Sequence, residues 1–344
     1  MKRFVFGIAL PLLLAAFVVA QGAAVSAQEK VTLRMAVWLP PLHHLSKSLV
    51  AWSAQIEEAS NGTLLIKLDS AALAKPPGQY DLAKKGVADL AYHVFGYTPG
   101  RFQIIRATEL PFLSPNAEVG SQATWDWYER NVGADKEMPD VKLITLWIHG
   151  PGLIHTKNEI KTLEDLQGVK LRVGGGGVAM SEALGAVPVP MSATQAHESL
   201  LRGTTDGTMF PWESISGFRL TDLVTYHLEV PGGLYSTPFA LVMNQKAFDK
   251  LSSEHQAILD EFGGINGAKF IGRRWDEADA VGRNAAEANG NTIQTIADDE
   301  LERLRSKVAF MEGVWLKDAK ALGFDGEALL ADLRTTIERF ASTN

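Results

Sequence analysis

The 344-residue chain contains no cysteine. That absence removes disulfides, thiolate nucleophiles and zinc-thiolate sites together. His-Glu-x-x-His and Gly-x-Ser-x-Gly are also missing, and with them the familiar signatures of zinc and serine hydrolases. Positive charge is in short supply, since 33 Lys and Arg stand against 40 Asp and Glu for a net charge of −7. With no Lys/Arg stripe either, so acidic a chain is excluded from nucleic-acid binding by counterion release. Internal repeats, low-complexity runs and acidic blocks are lacking.

What is present begins with MKR, then the apolar run Phe4 to Ala20, then small residues ending in VSA before QEK. A basic start, an apolar middle and a small-residue cleavage site predict a secretory signal over residues 1–27, cut after Ala27. Gly7 and Pro11 interrupt the run, which sits at the short limit for crossing about 30 Å of hydrocarbon. No Cys follows it, so a lipid-anchored lipoprotein is excluded. Cutting there leaves 344 less 27, or 317 residues, and removing Lys2 and Arg3 moves the net charge from −7 to −9. That length suits two domains of ordinary size or one large one, and an exported chain without disulfides must draw its stability from its core.

The polarity pattern predicts a strand at Val31 to Val37, stopped by Trp38-Leu39-Pro40-Pro41, because Pro lacks the donor a central strand needs. A helix from about Leu42 to Ser60 ends at Asn61-Gly62, and Thr63 to Asp69 forms the next strand. Strand, helix, strand at this spacing implies α/β architecture with helices on a parallel sheet, where ligands bind at the carboxyl ends of strands. Further strands are expected at 88–94, 141–148, 170–173, 238–244 and 292–296. A capping box at Ser253-Glu254-His255-Gln256 opens a long helix whose apolar face runs on through Gly263-Gly264 toward Asn289. Two more amphipathic helices follow, at about 298–322 and 326–340.

Arg172 stands where the 170–173 strand ends, beside the glycine run Gly174 to Gly177. A guanidinium stays charged and presents a planar fork of donors, so in a dry cleft it suits a carboxylate. Pairing with a neighbouring acid on the surface is the alternative. Trp38 lies at the end of the first strand, where a ligand would bind. Phe210 and Trp212 alternate, so both are expected on one side, as a cleft wall or as packing beneath it. Tyr235 belongs to a Pro/Gly-rich crossing near the cleft mouth. His43 and His44 invite a metal, but neighbours on a helix point about 100° apart, so no metal site is expected.

The stretches LEDLQGVKLRV, LGAVPVPM, ATQAHESLLRG and TTDGTMFPWE, in that order and spacing, with ATELPFLSPNAEV upstream, resemble substrate-binding proteins of tripartite ATP-independent periplasmic (TRAP) transporters, of the dicarboxylate-binding (DctP) type. The resemblance runs from Val31 to about Phe340. It implies a two-lobed periplasmic binding protein fold, each lobe a mainly parallel sheet flanked by helices, with a long helix bracing both. Residues 28–150 with 236–282 would form one lobe, and 151–235 with 283–344 the other. It further implies a monomeric, periplasmic, non-enzymatic receptor without a cofactor, whose Arg172 holds a small organic acid for delivery to membrane permease subunits. In the family the residues at the end of the strand matching 88–94 line the cleft, which makes His93, Phe95 and Tyr97 candidates, with packing in the core as the alternative for alternate members.

Two departures from the family pattern refine that expectation. Many members carry a second Arg near Pro151, where this chain has HGPG, so backbone N–H groups from Gly150 to Gly152 and at Gly174 would serve instead. Where the family often has Asn in a "DGQEN" stretch, Phe210 stands here. One cation and an aromatic wall point to a monocarboxylate, such as a 2-oxo, 2-hydroxy or aryl acid. An exported enzyme acting on a small carboxylate is the competing reading. A phosphate cradle at GGGG is weaker, because the glycines lack the following Lys-Ser/Thr.

Overall fold

The computed structural model describes Met1 and residues 30–343, so the expected signal segment lies outside the described residues. Among the described residues eleven strands form two sheets: β1 Val31–Ala36, β2 Leu64–Leu68, β3 Leu90–Val94, β4 Val141–Ile148, β5 Leu153–Thr156, β6 Lys170–Val173, β7 Val187–Pro190, β8 Gly207–Phe210, β9 Tyr226–Glu229, β10 Pro238–Asn244 and β11 Thr292–Thr295. One sheet has the order β2-β1-β3-β10-β4 and the other β11-β9-β5-β8-β6-β7. Each anchors one lobe. The helices used below are α1 His44–Ala59, α2 Ala117–Asn131, α3 Gly177–Ala183, α4 Glu213–Gly217, α5 Ser253–Phe262, α6 Gly264–Ala288, α7 Asp298–Val308, α8 Phe310–Ala321 and α9 Gly326–Ala341.

The sheets are mixed rather than mainly parallel. β1 runs parallel to β2 and β3, but β10 is antiparallel to both β3 and β4. In the second sheet β5 is antiparallel to β8 and β9, while the pairs β6–β7, β6–β8 and β9–β11 are parallel. The reason is the double crossing between lobes. β4 and β5 lead out of the first lobe, β9 and β10 lead back, and the two crossings lie side by side, so they must run in opposite directions. Between the sheets the outward and returning strands stay bonded, through Gly152 N–H to Tyr235 O at 2.7 Å and Leu234 N–H to Gly152 O at 2.9 Å.

The long helix is shorter than the sequence pattern suggests. It breaks into α5 and α6 at Gly263-Gly264, where Gly264 has φ +52° and a side chain at Gly263 would crowd the Ile144 carbonyl. α6 then braces both lobes through two carboxylates one turn apart. Asp276 accepts from the N–H groups of Ala117 (2.7 Å) and Glu118 (2.9 Å) at the start of α2, on the first lobe. Asp279 accepts from Glu213 N–H at 2.7 Å, on the second.

The tail is divided differently from the expectation for 283–344. β11 and α7 pack with the second sheet, where Leu304 and Val308 join its core. Helix α7 ends at Val308 and α8 begins at Phe310, with Ala309 between them still in helical backbone conformation (φ −55°, ψ −30°). α8 and α9 return to the first lobe, where Trp315, Leu330 and Leu333 share a core with Trp127 of α2, and the Trp127 indole donates to Leu329 O at 2.9 Å.

Candidate functional site

The carboxyl ends of β1, β3, β6 and β8 converge on a cavity between the lobes, with about 610 Å³ of empty space including its mouth. Arg172 lies on its wall and is only 2% exposed. One terminal nitrogen donates to Met191 O at 2.8 Å and lies 3.5 Å from the Tyr97 hydroxyl. The guanidinium carbon sits 4.0 Å from the Phe210 ring centroid, while Nε is buried without a hydrogen-bond partner. Among the described residues no carboxylate lies within ion-pair distance of it, and burial pulls its pKa down. Burying a charge with so little compensation costs several kcal/mol, roughly, unless an anion joins it.

Of the expected site residues, Trp38, Tyr97, Arg172, Gly174, Phe210 and Tyr235 line this cavity together. Tyr97 belongs to the first lobe, and its hydroxyl accepts from Ala193 N–H of the second at 2.9 Å. The glycine run matters for closeness as well as for turning. A side chain at Gly175 would overlap the Gly96 carbonyl of the opposite lobe, and one at Gly176 would come within 2.9 Å of a Glu109 oxygen. Glycine lets the two backbones meet here, and the cleft is closed.

Three expectations are corrected. His93 does not face the cavity. Successive strand residues point to opposite faces, so the cavity-lining Val94 leaves His93 on the far side of β3, packed against Tyr80, Phe95 and Phe102. Burial there lowers its pKa to about 3. Trp212 is likewise off the wall, because Pro211 ends β8 and the alternation with Phe210 does not continue. Its indole packs on His155 and His227 and donates to Glu229 at 3.2 Å. Gly152 spends its N–H on Tyr235 O, so it offers no free donor; its missing side chain makes room for the Tyr235 ring.

His155 is fully buried in a hydrogen-bonded chain that fixes its tautomer. Its Nε2 lies 3.1 Å from Phe210 O, an acceptor, and its Nδ1 lies 2.7 Å from His227 Nδ1. His155 therefore donates from Nε2 and accepts at Nδ1.

Sequence reasoning missed the rest of the wall. Phe239 and Trp275, with ring centroids 5.0 Å apart, line the cavity together with His149 and Phe218. Trp275 counted only as one residue of an apolar helix face, and Phe239 as one of an apolar strand, so neither carried a separate signal. His43 and Glu213 line the cavity as well. The helical-spacing argument against His43 and His44 acting together fails because His43 is the cap of α1, with extended backbone (φ −66°, ψ 141°). His44 Nε2 lies 3.0 Å and His43 Nε2 3.6 Å from Glu213 Oε2, and the three side chains offer ligand atoms within 4.8 Å of one another. The trio is not prepared for a metal, however. His43 Nδ1 accepts Leu45 N–H at 3.2 Å, which puts its proton on Nε2, the atom a metal would need bare.

A two-lobed α/β protein shut over an aromatic cavity with one buried, acid-free guanidinium has the architecture of a solute receptor. Comparison with known proteins gives the family. Residues 35–313 match the model of "Bacterial extracellular solute-binding protein, family 7" (DctP), and the chain belongs to that family, the TRAP-type solute-binding proteins. It is similar to a TRAP solute-binding protein from Bordetella bronchiseptica with bound (R)- and (S)-mandelate, at 35% identity and TM-score 0.87, covering 90% of this chain and 99% of that one. It is similar also to one from Rhodoferax ferrireducens with copurified benzoate, at 33% identity and TM-score 0.86, covering 91% and 99%. A curated relative, "Outer membrane transporter protein TsaT" of Comamonas testosteroni, is 26% identical over 92% of this chain and 94% of its own length.

Proposed function

We propose that this chain is a periplasmic TRAP receptor for an aromatic monocarboxylate, which it encloses between its lobes and passes to membrane permease subunits. The observation that carries this reading is the buried Arg172 guanidinium, stacked on Phe210 and, among the described residues, without a carboxylate at ion-pair distance. Its open Nε can receive one oxygen of a ligand carboxylate, which repays part of the cost of burying the cation. The ring of the acid then lies between the Phe210–Phe218 pair, stacked at 16°, and the Phe239–Trp275 side. The relatives crystallised with mandelate and benzoate support the same class. A second full cation is not among the cavity's lining residues, which speaks against a dicarboxylate. The reading is that of a receptor acting without a cofactor.

Isothermal titration with benzoate, mandelate and succinate tests it. Benzoate or mandelate is expected to bind with succinate silent. Binding of succinate alone overturns the assignment.

A further inference from the structure

The cavity has a second polar end. Glu213 lines it with Arg172 and is 3% exposed. Its Oε1 accepts from the Ser214 hydroxyl at 2.6 Å, and its Oε2 faces the His44 and His43 imidazoles at 3.0 and 3.6 Å. Burial alone would raise the pKa of this carboxyl. The His44 and His43 rings and the Ser214 hydroxyl outweigh it and hold the group at about 2, so it is an anion at neutral pH. Asp279, the other acid close by, is pushed in the opposite direction by burial and bonds to the Glu213 backbone rather than to its carboxylate.

His43 supplies the complement. Its Nδ1 is committed to the α1 cap, so Nε2 carries the hydrogen, and that donor is buried with no hydrogen-bond acceptor. The cavity end therefore presents one donor and one anionic acceptor 3.6 Å apart. A continuous aromatic wall joins it to the cation. Arg172 stacks on Phe210, Phe210 lies 5.6 Å from Phe218, and Phe218 lies 5.0 Å from the His43 ring. A ring laid along that wall with its carboxylate at Arg172 points its far substituent at His43 and Glu213.

Resting on the aromatic-acid reading above, we infer that Glu213 and His43 form a hydroxyl subsite that selects ring-hydroxylated aromatic acids and rejects aromatic dicarboxylates. A hydroxyl is the substituent that donates to Glu213 and accepts from His43 at once. An ammonium would satisfy Glu213 but leave His43 unpaired. A second carboxylate would meet the Glu213 charge in a dry site, where like charges repel strongly.

Titration calorimetry with benzoate, 3- and 4-hydroxybenzoate, isophthalate and terephthalate tests the subsite. Wild type is expected to bind one of the hydroxybenzoates at least about tenfold more tightly than benzoate, the usual gain from a hydrogen bond to a charged acceptor, and to leave both dicarboxylates unbound. In Glu213→Gln, and in His43→Asn, which can still cap α1, the hydroxybenzoate-to-benzoate ratio should fall to about threefold or less. The inference is overturned if wild type binds benzoate and both hydroxybenzoates equally, or if the ratio survives both substitutions; in either case benzoate binding would leave the broader reading standing. Should wild type bind none of the five acids, the aromatic-acid reading fails and the subsite with it.

Discussion

The Arg172 guanidinium lies 4.0 Å above the Phe210 ring, with neither residue more than 6% exposed and, among the described residues, no acid paired to the cation. A cation over an aromatic face is stabilised by the ring quadrupole, by about 2 kcal/mol at best when desolvated, which does not replace the lost water. Two opposite consequences follow for one substitution. Arg172→Met should abolish carboxylate binding, a loss of roughly 2 to 5 kcal/mol. The same change relieves the ligand-free protein of an unpaired buried charge, so its stability should hold or rise by roughly 1 to 4 kcal/mol. Calorimetric titration and urea denaturation, run on the same variant, read the two effects. A variant that loses stability and keeps its affinity would remove Arg172 from the binding role.

Gly175 and its neighbour Gly174 make a controlled pair. A methyl at Gly175 would overlap the Gly96 carbonyl across the cleft, whereas one at Gly174 meets nothing within 4 Å. Gly175→Ala should therefore hold the lobes apart and weaken ligand binding at least about tenfold, or 1.4 kcal/mol. Gly174→Ala should leave closure intact. Small-angle scattering with and without benzoate should show a ligand-induced compaction that Gly175→Ala has lost and Gly174→Ala keeps.

Much of this site was legible before any coordinates. Arg172 could be placed because a short strand ending in a glycine run marks the carboxyl edge of a sheet, and Trp38 followed from the same rule, whereas Tyr97 came from the family resemblance. Where the reading failed, local periodicity had been carried past its limit. The alternation linking Phe210 to Trp212 stops at Pro211, and the helical angle between His43 and His44 does not apply to a capping residue. The mixed sheets and the return of α8 and α9 to the first lobe depend on which segments cross between lobes, and no local pattern encodes that. Trp275 and Phe239 were invisible for a different reason: an aromatic that packs a core and one that lines a cavity obey the same period.

Acid should destabilise the protein through its buried histidines. Burial lowers the pKa of His43, His149 and His227 to about 4 and of His93 to about 3, against roughly 6.5 in an unfolded chain. Below pH 6.5 the unfolded chain takes up protons that these rings refuse, so their contribution is complete above that pH and lost as pH falls toward 4. Each is worth about 1.4 kcal/mol per pH unit in that window. Glu213 acts lower, since its depressed pKa is lost only as pH falls toward 2, while buried Glu109 and Asp279, pushed upward, work in the opposite sense. His93 isolates the effect because it is walled in by Tyr80, Phe95 and Phe102, away from the cavity. The stability of His93→Phe should fall less steeply than that of wild type between pH 6.5 and 4.5, by about 1.4 kcal/mol per unit. Parallel urea curves across that range with identical slopes would refute the assignment.

Asp276 ties the brace to the first lobe, and its removal should be felt at the start of another helix. The first N–H groups of a helix have no partner within it. In α2 those of Ala117 and Glu118 are taken by the Asp276 carboxylate of α6, and that of Val119 by the Asn116 side chain. Burial raises the Asp276 pKa, and the two N–H bonds oppose that rise, which is the balance expected of a carboxylate held at the positive end of a helix. Asp276→Ala leaves two partly buried donors without their acceptor and should cost about 1 to 3 kcal/mol of folding stability. Asp276→Asn keeps an acceptor for one of them and should cost less. Hydrogen exchange gives the local readout: in Asp276→Ala the amides of Ala117 and Glu118 should lose protection beyond the global change, whereas uniform loss across the chain would mean that α6 does not cap α2.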